Sequence, residues 1–322
     1  MWLTIALLAY LINAGVYVAD KFLLSKKIHS SIVYAFYVGI WSFLNIFLLF
    51  IDPWVPNFQE LIIDLLAGIL FLATLIFWYK ALHQSEATRV VPIVGALTPI
   101  FSFLLSFAFL GEHLSERHLL AFAVLIIGGV LISVKHTKFY EFKMMADRFK
   151  NVFGDLFGHI HAGFRPTQRL LINSTISAFF FAAFYVLAKY IYSHQPFVGG
   201  FVWSRMGSFI GVVLILLVPA WRRLISEHNS NKTKTVKMNW FFFLTVRASA
   251  AIAFIFLNRA ISLGNVALIN SLQGAQYLFL ILLVLFISKK HPHIFKEEVG
   301  GGVAFQKVCG ALLVGLGLYM LV

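Results

Sequence analysis

Three cations stand inside stretches that are otherwise apolar: Lys189 in FAAFYVLAKYIY, Arg205 in FVWSRMGSF and Arg247 in FLTVRASAA. The acids nearest to such stretches are Asp20 and Asp64, each close to a stretch's end. A lone guanidinium in hydrocarbon costs several kcal/mol, so each of these cations needs a carboxylate, backbone carbonyls, water or an anionic ligand. The planar fork of an arginine matches a carboxylate or phosphate, which makes Arg205, Arg247 and Lys189 candidates to hold an anionic solute. The competing reading is that they tie helices together through carbonyls or Asp64, or snorkel to the surface.

Polar and aromatic residues recur at helical spacing around these cations. Asn13, Tyr17 and Asp20 share one stripe, and Tyr34, Tyr37, Trp41 and Asn45 a second. Asp64, Phe71 and Trp78 form a third, Arg247, Phe254 and Asn258 a fourth, and Asn270, Gln273, Gln276 and Tyr277 a fifth, while Tyr185 stands one turn before Lys189. If these stripes converge, the expected substrate-binding set is Asn13, Tyr17, Tyr37, Trp41, Trp78, Tyr185, Lys189, Arg205, Arg247, Asn270, Gln273 and Tyr277. Asp20 and Asp64 are the candidate proton-coupling acids, with Glu86 a weaker third. Tryptophan and tyrosine faces would suit a partly aromatic solute.

Other chemistries find little footing. His159-Ile160-His161 does not place two imidazoles on one helix face, and His291-Pro292-His293 has no acidic or cysteine companion, so no metal is expected. A phosphate-cradling glycine loop is missing, which leaves an ion gradient or exchange rather than ATP as the driving force, with no cofactor. No catalytic residue is expected. The alternative function is a membrane-embedded enzyme or flippase acting on lipid-linked phosphate, for which Asp64 and Lys189 are the available acid and base.

The elements that must position these residues are membrane helices. Of 322 residues, 60% are apolar and 12% charged, with mean hydropathy +0.87, whereas soluble domains run about 45 to 50% apolar and about 25% charged. Apolar runs predict about ten spans: 2–24, 31–51, 60–82, 89–110, 118–134, 170–192, 197–219, 239–261, 264–287 and 303–322. In hydrocarbon such runs must be helical, because every backbone donor and acceptor needs an internal partner. The first run has no basic flank before it and no small-residue cleavage site after it, so it reads as a retained span. The single Cys309 precludes an internal disulfide.

The two sets of five spans repeat each other. Ala14-Gly15-Val16-Tyr17-Val18-Ala19-Asp20-Lys21 aligns with Ala182-Ala183-Phe184-Tyr185-Val186-Leu187-Ala188-Lys189, and Ala81, Gly95 and Ala96 align with Ala260, Gly274 and Ala275. An odd number of spans per copy inverts the second copy, so the expected fold is an all-α polytopic protein of two inverted five-helix repeats, 1–134 and 170–322. Residues 135–169 join them, and Phe142, Met145, Phe149, Phe153 and Leu156 there recur at helical spacing among basic residues. That segment reads either as an amphipathic helix on an anionic membrane surface or as a connector packed on the protein. Gly128, Gly129 and Ser133 with Ala311 and Gly315 are expected to pack the fifth span on the tenth.

A family likeness is carried by the first copy. The helix start Val90-Val91-Pro92, the second Pro99, the closing Gly111-Glu112 and the Gly128-Gly129-Val130 run together resemble the repeat signature of EamA-type transporters of the drug/metabolite transporter superfamily. The second copy lacks both prolines and has Lys289-Lys290 where the Gly-Glu pair should stand. The resemblance implies a secondary transporter with a midplane site exposed alternately to each face.

The net charge of +13 lies in loops on one side, so its expected partners are anionic headgroups rather than nucleic acid. By the positive-inside rule those loops are cytoplasmic and both termini outside, in a bacterial-type inner membrane. The resemblance implies cytoplasmic termini instead. The expected substrate is a small anionic or zwitterionic metabolite, and the expected assembly a monomer or homodimer.

Overall fold

The computed structural model describes residues 1–24, 31–84, 87–133, 166–230, 240–288 and 301–321. The expected connector over 135–169 lies almost wholly outside them. The described residues contain helices and no strand: α1 (Trp2–Leu24), α2 (Ser31–Trp41) continuing as a 3-10 helix (Ser42–Phe50), α3 (Phe58–Gln84), α4 (Ala87–Leu110) and α5 (Glu116–Ser133), then α6 (Pro166–His194), α7 (Phe197–Leu217), α8 (Pro219–Ser230), α9 (Trp240–Leu263), α10 (Val266–Ser271), α11 (Gln273–Ser288) and α12 (Gly301–Leu321). Five stretches are long and apolar enough to cross a membrane: Phe58–Ala81, Ile93–Leu110, Arg169–His194, Phe197–Leu217 and Leu244–Leu263. Shorter apolar stretches occupy α1, the α2 region and α12.

Local chemistry fixes the helix ends. At the start of α3, the Asn57 side chain accepts from the Glu60 N–H (2.9 Å) while Glu60 accepts from the Asn57 N–H (2.8 Å), a reciprocal box that satisfies two orphan donors. Gly111, at φ +63°, lets the chain leave α4 in the left-handed conformation. Asn265 caps α10, its side-chain oxygen accepting from the N–H groups of Ala267 and Leu268.

Helix α7 is the most enclosed of the five candidate spans and packs on α3 where neither carries a side chain. A Cβ added at Gly68 would collide with the Ser204 carbonyl, and one at Gly207 with the backbone of Leu65, so the two backbones cross in direct contact. The remaining main pairings are α3 with α6, α4 with α6, α1 with α9, α1 with α11, and α5 with α12. In the last, Gly128 meets Gly310 and Val314, while Gly129 meets Gly274 of α11. Gly315, expected in that seam, has open space around it, so Gly310 and Gly317 rather than Gly315 are the glycines that α12 offers to α5.

Candidate substrate site

Arg205 projects from α7 into the centre of the bundle and is 6% exposed. Its Nη2 donates to the Ser42 hydroxyl at 2.6 Å, and its guanidinium carbon lies 4.3 Å from the ring centre of Phe71 and 5.0 Å from that of Phe254. Phe71 (α3), Phe184 (α6) and Phe254 (α9) pack on one another with ring centres 5.0 to 6.1 Å apart. Each desolvated cation–π contact is worth about 1–2 kcal/mol, and the charge-assisted hydrogen bond about 1.5–3 kcal/mol. Those gains are of the same order as the several kcal/mol that burying an ion costs, so the guanidinium is held in place. Its charge is not compensated: Nη1 is buried with no hydrogen-bond partner, and no carboxylate among the described residues pairs with it.

Ser42 reaches Arg205 because the second span changes helical type there. The hydroxyl also donates to Val38 O at 3.0 Å, and Asn45 donates to Ser42 O at 2.8 Å as the chain tightens into the 3-10 helix. A 3-10 stretch within a span is a common place for a hinge.

Beside the guanidinium is a tyrosine cluster. Tyr10, Tyr17, Tyr185 and Tyr277 are close enough to influence one another electrostatically, and Tyr185 also feels Arg205. The Tyr10 hydroxyl donates to Ile269 O at 2.9 Å, and Tyr17 lies in hydrogen-bonding reach of Gln276. Gly95 leaves room for the Tyr277 hydroxyl and the head of Gln273, where a side chain would collide with the phenol. A small cleft at this point is lined by Gly95, Gly129, Ser271, Gly274 and Tyr277, among others.

A second group of polar contacts closes one end of the bundle. Asp64, fully buried, accepts from Gln195 Nε2 at 3.1 Å, and its Oδ2 is without a partner. Tyr192 donates to Asn258 Oδ1 at 2.9 Å. Lys189 donates to Ser262 O at 3.2 Å, and Glu112 accepts from Asn265 Nδ2 at 2.7 Å, tying the end of α4 to the cap of α10. Burial pushes the Glu112 carboxyl above its ordinary value, against the pull of Lys189, the Val266 N–H and Asn265. Trp54 seals the same end, its ring filling the space beside Gly199 while its carbonyl accepts from Trp203 Nε1 at 3.0 Å.

The structure thus brings Tyr17, Tyr185, Arg205, Gln273 and Tyr277 together at the centre. Asn270 is buried close by, donating to the Ser102 hydroxyl at 2.8 Å, and Asn13 is half-buried one turn before Tyr17. Other members of the expected set are elsewhere. Trp41 is 52% exposed on the outer surface, and half-buried Tyr37 packs edge-on against Phe36. Trp78 contacts Phe181 within a separate cluster of Ala81, Val90, Val94, Leu170 and Ala178. Lys189 belongs to the closed end, and half-buried Arg247 stands seven residues from Phe254 on α9. Asp64 and Lys189 have separate partners, Gln195 and Ser262, and are not brought together as an acid–base pair. The side chain of Asp20, and Glu86, lie outside the described residues. Ser42, Tyr10, Tyr192 and Gln195 are additions to the expected set: each is a single polar group in or beside an apolar run, and only helix packing shows which partner it meets.

Comparison with known proteins bears on the fold. A solved crystal structure superposes over 98% of this chain and 93% of its own length, with a TM-score of 0.62 at 16% identity, which shows a shared fold. No curated protein matches the chain in sequence. Residues 1–134 match the EamA-like transporter family. With its apolar helices, the chain is an integral membrane protein whose first 134 residues are similar to the EamA-like transporter family.

Proposed function

We propose that this chain is a secondary transporter that moves a small anionic or zwitterionic metabolite by alternating access. Two inverted five-helix repeats, 1–134 and 170–322, rock about the seam that holds Arg205. The observation that carries the substrate class is the buried, uncompensated guanidinium with its free Nη1, since a solute carboxylate or phosphate supplies the missing partner.

The helix pairing supports the repeat. If α1 is exchanged for α6, α3 for α9, α4 for α10 and α11, and α5 for α12, the contact of α1 with α9 becomes that of α6 with α3. Likewise α1 with α11 becomes α6 with α4, and α5 with α12 maps onto itself. Cross-repeat bonds tie both ends, Asp64 with Gln195 and Glu112 with Asn265 at one and Asn173 with Gln84 and Gln306 with Leu131 O at the other, and in this reading rocking breaks each set in turn. In the membrane the second of these ends, with the basic loops, is the cytoplasmic one.

The test is a thermal-shift panel of carboxylates, phosphates, zwitterions and organic cations on the purified full chain. Stabilisation by anionic or zwitterionic compounds, absent in Arg205→Gln, is expected. Stabilisation by organic cations alone would remove the anionic assignment.

A further inference from the structure

We infer that α8 is a docking surface for anionic lipid headgroups. At about 1.5 Å per residue, the 21 residues of α7 span about 31 Å, close to the thickness of a bilayer core. The chain therefore leaves α7 at a membrane interface. There it breaks: Val218 is extended (φ −87°, ψ 112°), Pro219 opens α8, and the N–H groups of Trp221 and Arg222 donate to Val218 O at 3.1 and 3.0 Å. Pro at the first helical position starts the new helix without wasting a donor.

Unlike the spans, α8 is two-faced. Ala220, Trp221, Leu224 and Ile225 fall on one side of the helical wheel, and Arg222, Arg223 and Ser226 on the other. Ile225 is buried and Trp221 packs on the core, whereas Leu224 is 40% and the adjoining Leu217 71% exposed. One edge of the apolar stripe thus lies on the protein and the other faces outward at the level of the acyl boundary. Arg222 and Arg223 are exposed, and no described residue pairs with either. Exposed leucines at the edge of a bilayer with two exposed guanidiniums one step further out match the apolar and anionic layers of an acidic phospholipid. Helix α8 also packs on α2, whose far end delivers Ser42 to Arg205, so a headgroup held here bears on the helix that positions the central guanidinium.

The experiment is native mass spectrometry of the delipidated full chain titrated with phosphatidylglycerol or phosphatidylcholine. The wild type is expected to retain phosphatidylglycerol in preference, and R222Q/R223Q to lose about thirty-fold in apparent affinity for it, at about 1 kcal/mol per arginine. R117Q, which removes an exposed arginine at the opposite end of the bundle, is expected to retain it like the wild type, and R222K/R223K to keep most of it. Equal retention of the two lipids by the wild type, or undiminished phosphatidylglycerol binding by R222Q/R223Q, overturns the inference. So does an equal loss in R117Q, which would mean binding by overall charge.

Discussion

Arg205 contributes little to stability alone. Replacing a buried ion by a neutral group of similar size is often neutral or stabilising, so Arg205→Gln is expected to keep or raise the melting temperature while abolishing ligand-induced stabilisation. Ser42→Ala acts in the opposite sense, because it removes the only hydrogen bond described for the guanidinium. It is expected to cost about 1.5–3 kcal/mol, read as a lower denaturation midpoint. Trp41→Leu is expected to change neither stability nor ligand response, since that ring is on the outer surface.

Glu112 supplies a pH dependence at the same scale. Its carboxyl is raised by burial above the ordinary glutamate value of 4.5, so the folded form binds the proton more tightly than the unfolded chain. The resulting stability is present below about 4.5 and is lost as pH rises through the raised value. Thermal melts from pH 4 upward are therefore expected to fall more steeply in the wild type than in Glu112→Gln. Parallel curves would mean that the carboxyl is not buried as described.

Among elements, the α3–α7 crossing is the contact with least slack. Gly68→Ala or Gly207→Ala would drive a methyl group into backbone, and loss of monodisperse protein in detergent is expected, whereas Gly315→Ala meets nothing and should be silent. Asn265→Ala, which removes both the α10 cap and the Glu112 contact, is expected to cost about 1 kcal/mol or more and to loosen the closed end. Much at this scale is legible in the sequence, because the bilayer fixes the length of an apolar run and hydrocarbon fixes it as helix. The break of the fourth span of the second copy into α10 and α11 is not, nor is α8. Leu272 carries no proline or glycine mark, and α8's four apolar residues are too few to stand out beside a span. Helical spacing places the stripe through Tyr37 and Trp41 inward, yet among the described residues that stripe is fully buried only at Val33, and the other buried residues of α2 are Ile32, Ala35, Phe36 and Gly39, leading to Ser42. Aromatic residues suit a lipid-facing surface as well as a site, so their type does not decide the face.

For the whole molecule, charge and polarity within apolar runs point to Arg205, Tyr185 and Tyr277, because a polar group in hydrocarbon is costly enough to stand out. Their mutual proximity depends on how ten runs pack, and no single run records it. The proposed rocking of the two repeats makes a mechanical prediction. After replacement of the native Cys309, a disulfide between cysteines at positions 112 and 265 should hold that end closed, arrest transport and be reversed by reductant; undiminished transport in the cross-linked protein would mean that this end does not open. Impermeant labelling of tagged termini decides the orientation, and accessibility from outside is expected from the loop charge.

The most direct test of the central claim is uptake of a stabilising anionic solute into proteoliposomes by the wild type and Arg205→Gln at matched protein density. Saturable uptake in the wild type, reduced at least tenfold in the variant while the variant remains folded, is the expected result. Uptake by Arg205→Gln with unchanged apparent affinity and rate would contradict it.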